Sequence, residues 1–134
     1  MRLYRAVYQK IGIGYGIVNS IDGYDEISLT GDFKVSTNAY ERVFSPQSIG
    51  LNVVNPSELE AGESASAAAA IFDDVLSNQA SPAQKSVVVA NAAFAIQVLE
   101  HGRKSIEECV AIARESIESG KAQATFRKFV DLNS

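Results

Sequence analysis

The sequence has very few of the residues that form covalent cross-links and metal clusters. Among its 134 residues there is one cysteine, Cys109, and one histidine, His101. A single cysteine excludes a disulfide within the chain, and one residue of each type is too few for a zinc site of the Cys/His kind. Any metal must therefore be held by oxygen ligands.

Positive charge is also scarce, since 12 Lys and Arg face 16 Asp and Glu and the net charge is -4. Without a basic field along the chain, we expect neither a nucleic acid nor an anionic membrane as a partner. The longest uncharged apolar run, within Ser86 to Leu99, is too short to span a bilayer, and no basic-then-apolar leader opens the sequence. We therefore expect a cytoplasmic protein.

The remaining composition is globular, with 46% hydrophobic and 21% charged residues. This length suffices for one core of ordinary size, so we predict a single domain over residues 1–134.

Short strands are predicted in the first third of the chain, after an amphipathic helix whose stripe is Leu3, Val7 and Ile11. Tyr15 to Ile21 is rich in β-branched residues and ends at the turn signal Asp22-Gly23, which predicts a strand. The alternating segment 27–30 is either a second strand or an extended loop. Phe33 to Ser36 and Glu41 to Phe44 are predicted to pair as a hairpin.

Helices are predicted for the rest of the chain because helix-start residues recur there. Ser64, Ser81 and Ser105 each precede a run with helical periodicity, and the last two are followed three residues later by Gln84 and Glu108, as in a capping box. The predicted buried side of the helix after Ser105 comprises Ile106, Cys109, Val110, Ala113 and Ile117. The predicted fold class is therefore α/β, with a few strands (15–44) packed against carboxy-terminal helices (64–132).

Two adjacent acids, Asp25 and Glu26, form the most informative motif. They follow the glycine turn at Gly23 and begin a strand-like segment, which can project them into a crevice at a strand end. Magnesium keeps several waters and is typically tethered by one or two carboxylates while phosphates supply other ligands. The pair is therefore a candidate magnesium site, and the alternative is a solvated surface loop.

Other polar residues have simpler structural interpretations. His101 is interpreted as part of a helix end, Asn91 as a hydrogen-bonded packing residue in an apolar helix, and Cys109 as a buried, inert thiol. Lys34 and Arg42 could face a phosphate if the hairpin covers a site, but a solvated hairpin face is the simpler account.

The acidic motif resembles the Asp-Glu-x-Ser-x-x-Gly signature of anthranilate phosphoribosyltransferases, whose fold class is shared with pyrimidine nucleoside phosphorylases. Nearly the whole chain follows that family's order. The matching segments are Asp25 to Gly31, Phe44-Ser45-Pro46 with Gly50-Leu51, Leu59 with Gly62, Asn91-Ala92-Ala93, Ser105 to Glu108, and Ala113 to Ala122.

The resemblance implies transfer of a phosphoribosyl group from phosphoribosyl pyrophosphate to anthranilate, an early step of tryptophan biosynthesis. It also implies that Asp25 and Glu26 bind Mg²⁺ on the pyrophosphate. The family's Gly-Thr-Gly-Gly phosphate loop, its Lys-His-Gly-Asn-Arg motif and its amino-terminal helical domain have no counterpart in these 134 residues. The chain thus resembles the carboxy-terminal part of the α/β domain that binds phosphoribosyl pyrophosphate.

Two functions are compatible with that resemblance. In the first, the chain is a truncated transferase that keeps the acids for the metal but is inactive alone. In the second, it is a non-catalytic oligomerisation or interaction module derived from the same fold. A sheet that lacks its other strands should expose an edge and some apolar helix surface, so we expect a homo-oligomer.

Overall fold

The computed structural model describes residues 1–133, in which a small sheet is followed by a series of helices. The elements in chain order are helix α1 (Arg2–Ile11), strands β1 (Gly16–Ser20), β2 (Phe33–Thr37) and β3 (Glu41–Phe44), 3₁₀ turns at Pro46–Ile49 and Pro56–Leu59, and helices α2 (Ala65–Leu76), α3 (Pro82–Leu99), α4 (Ile106–Glu118) and α5 (Lys121–Leu132).

The three strands form an antiparallel sheet in the order β1-β2-β3. The predicted hairpin is confirmed, because Phe33 lies opposite Phe44 and Ser36 opposite Glu41. β1 pairs with the other side of β2 and is therefore an edge strand among the described residues. Segment 27–30, which the sequence left as strand or loop, is a loop.

The core lies between the sheet and α3, and α4 packs on α3. The ring of Phe94 from α3 packs in T-shaped geometry against Phe33 and Phe44, with ring centroids 5.8 Å and 5.3 Å apart. On α4 the predicted apolar side is buried, and it comprises Ile106, Cys109, Val110, Ala113 and Ile117. Strands 15–44 thus pack against carboxy-terminal helices, and the α/β fold class is confirmed.

The apolar side of α1 is exposed and that of α2 is only partly covered, although both helices form where they were predicted. Leu3, Val7 and Ile11 are 76%, 45% and 59% exposed, and α1 instead directs Arg5 and Tyr8 towards the rest of the molecule. On α2 only Val75 is buried. Periodicity shows which residues share a side of a helix, but it does not show which other element, if any, packs against that side. The apolar helix surface that the resemblance led us to expect is present.

No helix within residues 1–133 combines the length and the apolar character that crossing a bilayer requires.

Candidate functional site

Asp25 and Glu26 lie in the loop that connects β1 to β2, hereafter the acid loop (residues 21–32). The prediction that they begin a strand-like segment is wrong, since both occupy a bend. Both side chains are exposed, and neither makes an ion pair with another residue of the described chain. Their carboxylate oxygens are therefore free to bind a ligand.

Ser20, the last residue of β1, fixes the chain immediately after the two acids. Its hydroxyl donates to the carbonyl of Glu26 at 2.7 Å and accepts from the backbone N–H of Ser28 at 3.1 Å. Ser20 is only 1% exposed, so water cannot readily replace these bonds. The end of the strand thereby determines where the backbone around Ile27 runs.

A chain of hydroxyl groups stabilises the rest of the acid loop. Thr30 Oγ1 donates to the carboxylate of Asp22, so the hydroxyl of Ser28, 2.6 Å from Thr30 Oγ1, is the donor in that contact. Asp22 is thus engaged within the loop. Of its acids near the turn, Asp25 and Glu26 are the pair left for a ligand.

Asn91 connects the acid loop to α3. Its Oδ1 accepts from the backbone N–H of Ile27 at 3.1 Å, and its Nδ2 donates to the carbonyl of the same residue at 2.9 Å. The interpretation of Asn91 as a hydrogen-bonded packing residue is confirmed. The sequence did not show that its partner is the residue directly after Glu26.

Beside the acids lies an open cleft of about 310 Å³, lined by the acid loop, the turn at Pro56–Leu59 and helices α2 and α3. Asp25 and Glu26 line it together with Tyr24, whereas Ile71 and Val75 form part of an apolar wall. The cleft thus places two carboxylates at the margin of a largely apolar surface.

The donor set fits magnesium and does not fit a metal held by protein alone. Within residues 1–133 no group of three or more His, Cys, Asp or Glu side chains is placed to hold an ion. Mg²⁺ prefers hard oxygen ligands, keeps several waters and is commonly tethered by one or two carboxylates. Asp25 and Glu26 could supply that tether, with water and phosphate oxygens completing the coordination.

The other polar residues considered from the sequence do not line this cleft. His101 is exposed at the end of α3, with a φ of 52°, which agrees with a helix end. Arg42 lies over the ring of Phe44, with its guanidinium carbon 5.8 Å from the ring centroid. Cys109 is fully buried, and burial raises the pKa of its thiol, as expected for an inert cysteine.

Lys34 and Glu41 form an ion pair across β2 and β3, so Lys34 is engaged on the hairpin. The hydrogen bond from Lys34 is the main reason that the pKa of Glu41 lies below its ordinary value, and Arg5, 2.8 Å from Glu41, acts in the same direction. This cluster joins α1 to the sheet. The charge of Lys34 therefore has a partner within the protein, and no phosphate is needed to explain it.

The domain model described as "Glycosyl transferase family, a/b domain" matches residues 1–123. The chain belongs to this family. Its curated relatives include the anthranilate phosphoribosyltransferase of Phocaeicola vulgatus, 55% identical over 134 residues, and that of Cytophaga hutchinsonii, 45% identical over 129 residues. These alignments cover 100% and 96% of this chain but only 40% and 39% of the relatives. The resemblance found from the sequence motifs is thus confirmed, and the chain spans about 40% of the length of the relatives it matches.

Solved structures show the same fold. The anthranilate phosphoribosyltransferase of Thermus thermophilus superposes with a TM-score of 0.81 at 23% identity, covering 92% of this chain and 36% of that one. The Saccharomyces cerevisiae enzyme, solved in complex with PRPP and Mg, gives a TM-score of 0.75 at 24% identity, covering 88% of this chain and 33% of that one. At identities this low, the structural similarity supports a shared fold, and any chemical role has to be argued from the residues of this chain.

Proposed function

We propose that this chain supplies the metal side of the site at which an anthranilate phosphoribosyltransferase binds phosphoribosyl pyrophosphate. The curated relatives carry that enzyme's name, and their similarity extends over the whole chain. The activity would be transfer of the phosphoribosyl group to the amine of anthranilate, in tryptophan biosynthesis. The observation that carries the proposal is a pair of unpaired carboxylates, Asp25 and Glu26, on a firmly anchored loop beside a cleft.

In this proposal Asp25 and Glu26 hold Mg²⁺. When bound, the cation neutralises charge on the departing pyrophosphate, an electrostatic contribution to the transition state. The protein's own part is to present two carboxylates from a defined backbone, and the bonds of Ser20 and Asn91 fix that backbone directly after Glu26. Neither acid has to act as a nucleophile or to move a proton. The yeast relative solved with PRPP and Mg supports the choice of cation.

We expect the 134 residues alone to show no turnover. They contain no Gly-Thr-Gly-Gly segment for the pyrophosphate and no Lys-His-Gly-Asn-Arg motif. A substrate held from one side loses most of the positioning and charge stabilisation that normally supply the rate. Detectable transfer of phosphoribose to anthranilate by the purified chain would refute this expectation.

Calorimetric titration with pyrophosphate, with and without Mg²⁺, tests the metal site directly. The double variant Asp25→Asn/Glu26→Gln should abolish the gain in affinity that Mg²⁺ gives. A matched control is Asp73→Asn/Asp74→Asn, which removes the same charge from an adjacent acid pair exposed on α2. The control should bind as the wild type does. Equal losses in the two double variants would show that only net charge matters and would reject the site.

A second candidate function, an oligomerisation module made of copies of this chain, is favoured by the exposed stripe Leu3, Val7 and Ile11. Contiguous apolar surface of this kind commonly marks an interface. Sedimentation should then show a homo-oligomer that Leu3→Glu/Val7→Glu dissociates, whereas Gln9→Glu, on the same helix, leaves it intact. A monomer at all accessible concentrations would exclude this candidate, and the pyrophosphate titration separates it from the first.

A further inference from the structure

Asn91 holds the acid loop from the middle of α3 through both ends of its side-chain amide. One end accepts from the N–H of Ile27 at 3.1 Å, and the other donates to the carbonyl of Ile27 at 2.9 Å. The two residues are 64 positions apart in the sequence. A two-point contact fixes orientation as well as distance, because rotation of the amide would break both bonds.

The amide is itself held in place by α3. Its second N–H donates to the carbonyl of Val87, four residues earlier in the helix, at 2.9 Å. Both donors of Nδ2 are therefore engaged, and the side chain is locked before it reaches the loop. Ile27 is 0% exposed, so water cannot readily substitute for Asn91.

The contacts of Ser20 and Asn91 meet at the peptide group that joins Glu26 to Ile27. The carbonyl of Glu26 accepts from Ser20, and the N–H of Ile27 donates to Asn91. The loop has no regular secondary structure here, so these bonds take the place of a strand's hydrogen-bond ladder.

From this geometry, and resting on the proposed metal site, we infer that Asn91 is a positioning residue for the Mg²⁺ tether. It contacts neither the cation nor the substrate. It sets where the backbone of Glu26 lies and thereby where the carboxylates of Asp25 and Glu26 point. Groups that orient metal ligands in this way are usually needed for affinity even though they touch no metal.

The variant Asn91→Asp tests this inference, since it keeps an acceptor for Ile27 N–H and loses both donors. Asn38→Asp is a matched control. Asn38 makes the same kind of two-point contact at the opposite end of β1, accepting from the N–H of Tyr15 at 2.8 Å and donating to the carbonyl of Ile13 at 3.0 Å. Both variants add one negative charge, which by itself favours cation binding, so a weakened site cannot be ascribed to charge.

The measured quantity is the ratio of pyrophosphate affinities with and without Mg²⁺, at temperatures where circular dichroism shows each protein folded. We expect Asn91→Asp to reduce that ratio about tenfold or more, and Asn38→Asp to change it by less than about twofold. A purely structural role for Asn91 would affect affinity with and without Mg²⁺ alike. An unchanged ratio in folded Asn91→Asp would overturn the inference and leave the metal site standing.

A measurement on the wild type makes the test independent of how well the variant folds. The amide hydrogen of Ile27 should exchange as slowly as those of buried α3 residues. Rapid exchange would overturn the inference, because the hydrogen bond from Ile27 N–H to Asn91 would then be broken much of the time. Absence of any Mg²⁺-dependent binding by the wild type would instead refute the metal site itself, and the positioning role with it.

Discussion

Replacing Ser20 with alanine should destabilise the protein through the acid loop and leave its core packing intact. The substitution removes one hydroxyl that is 1% exposed and that serves two backbone groups at once. These are the carbonyl of Glu26, at 2.7 Å, and the N–H of Ser28, at 3.1 Å. The volume lost is a single oxygen atom, so the expected effect is chiefly that of unsatisfied polar groups.

The size of the loss in stability depends on whether water can replace the Ser20 hydroxyl as the partner of each backbone group. The bond to the Glu26 carbonyl is only partly buried, whereas Ser28 is 4% exposed and its N–H would lose its partner out of reach of water. A buried donor left without a partner costs about 1–3 kcal/mol. We therefore expect the free energy of unfolding to fall by about 2 kcal/mol, a substantial part of the roughly 5–15 kcal/mol typical of a domain.

Urea denaturation at neutral pH measures this change as a lower midpoint with an unchanged slope. The matched control is Ser48→Ala, which removes an exposed hydroxyl that donates to the carbonyl of Ser45 at 2.6 Å. Its effect should stay within about 0.5 kcal/mol. If Ser20→Ala costs no more than Ser48→Ala, Ser20 does not anchor the acid loop.

Three further predictions concern other parts of the molecule. Glu41→Gln should destabilise the protein at neutral pH, because the hydrogen bond from Lys34 lowers the pKa of the Glu41 carboxyl and so stabilises the folded protein. The difference in stability between the variant and the wild type should vanish as the pH falls through that lowered pKa, and a difference in urea stability that persists in acid would contradict this prediction. Cys109 should react with a thiol reagent only after unfolding, because it is fully buried and burial raises its pKa; rapid labelling of folded protein would refute this. Gly62→Ala should lower the free energy of unfolding by at least about 1 kcal/mol, because Gly62 has a φ of +77° and an added Cβ would lie 2.7 Å from that of Ala67. An unchanged urea midpoint would contradict this strain.

Features that depend on neighbours along the chain could be predicted from the sequence. The capping boxes at Ser81 and Ser105 form as expected, each with both reciprocal hydrogen bonds. The buried side of α4 was also predicted correctly, since helical periodicity and an apolar composition together specify a side that packs on α3. Both rules act over a few residues, so a single sequence contains all the information they need.

Features that depend on distant residues could not be predicted in the same way. The stripe Leu3, Val7 and Ile11 has the pattern of a core-facing surface but is exposed, because nothing within residues 1–133 covers it. The motif identified Asp25 as a candidate metal ligand but did not predict that it lies in a bend. The backbone there is determined by Ser20 and Asn91, and the position of Asn91 in an apolar helix was the only signal that it has a polar partner.

The acid loop therefore derives its shape from side chains outside the acidic motif. A strand would hold Asp25 and Glu26 through backbone pairing that tolerates most substitutions, but here the equivalent bonds come from one serine and one asparagine. Substitution of either anchor should consequently weaken metal binding while both carboxylates remain in the chain. Selection for a cation site in this fold would then act on positions 20 and 91 as well as on the acids, which predicts that the anchors and the acidic pair are lost together whenever the site is lost.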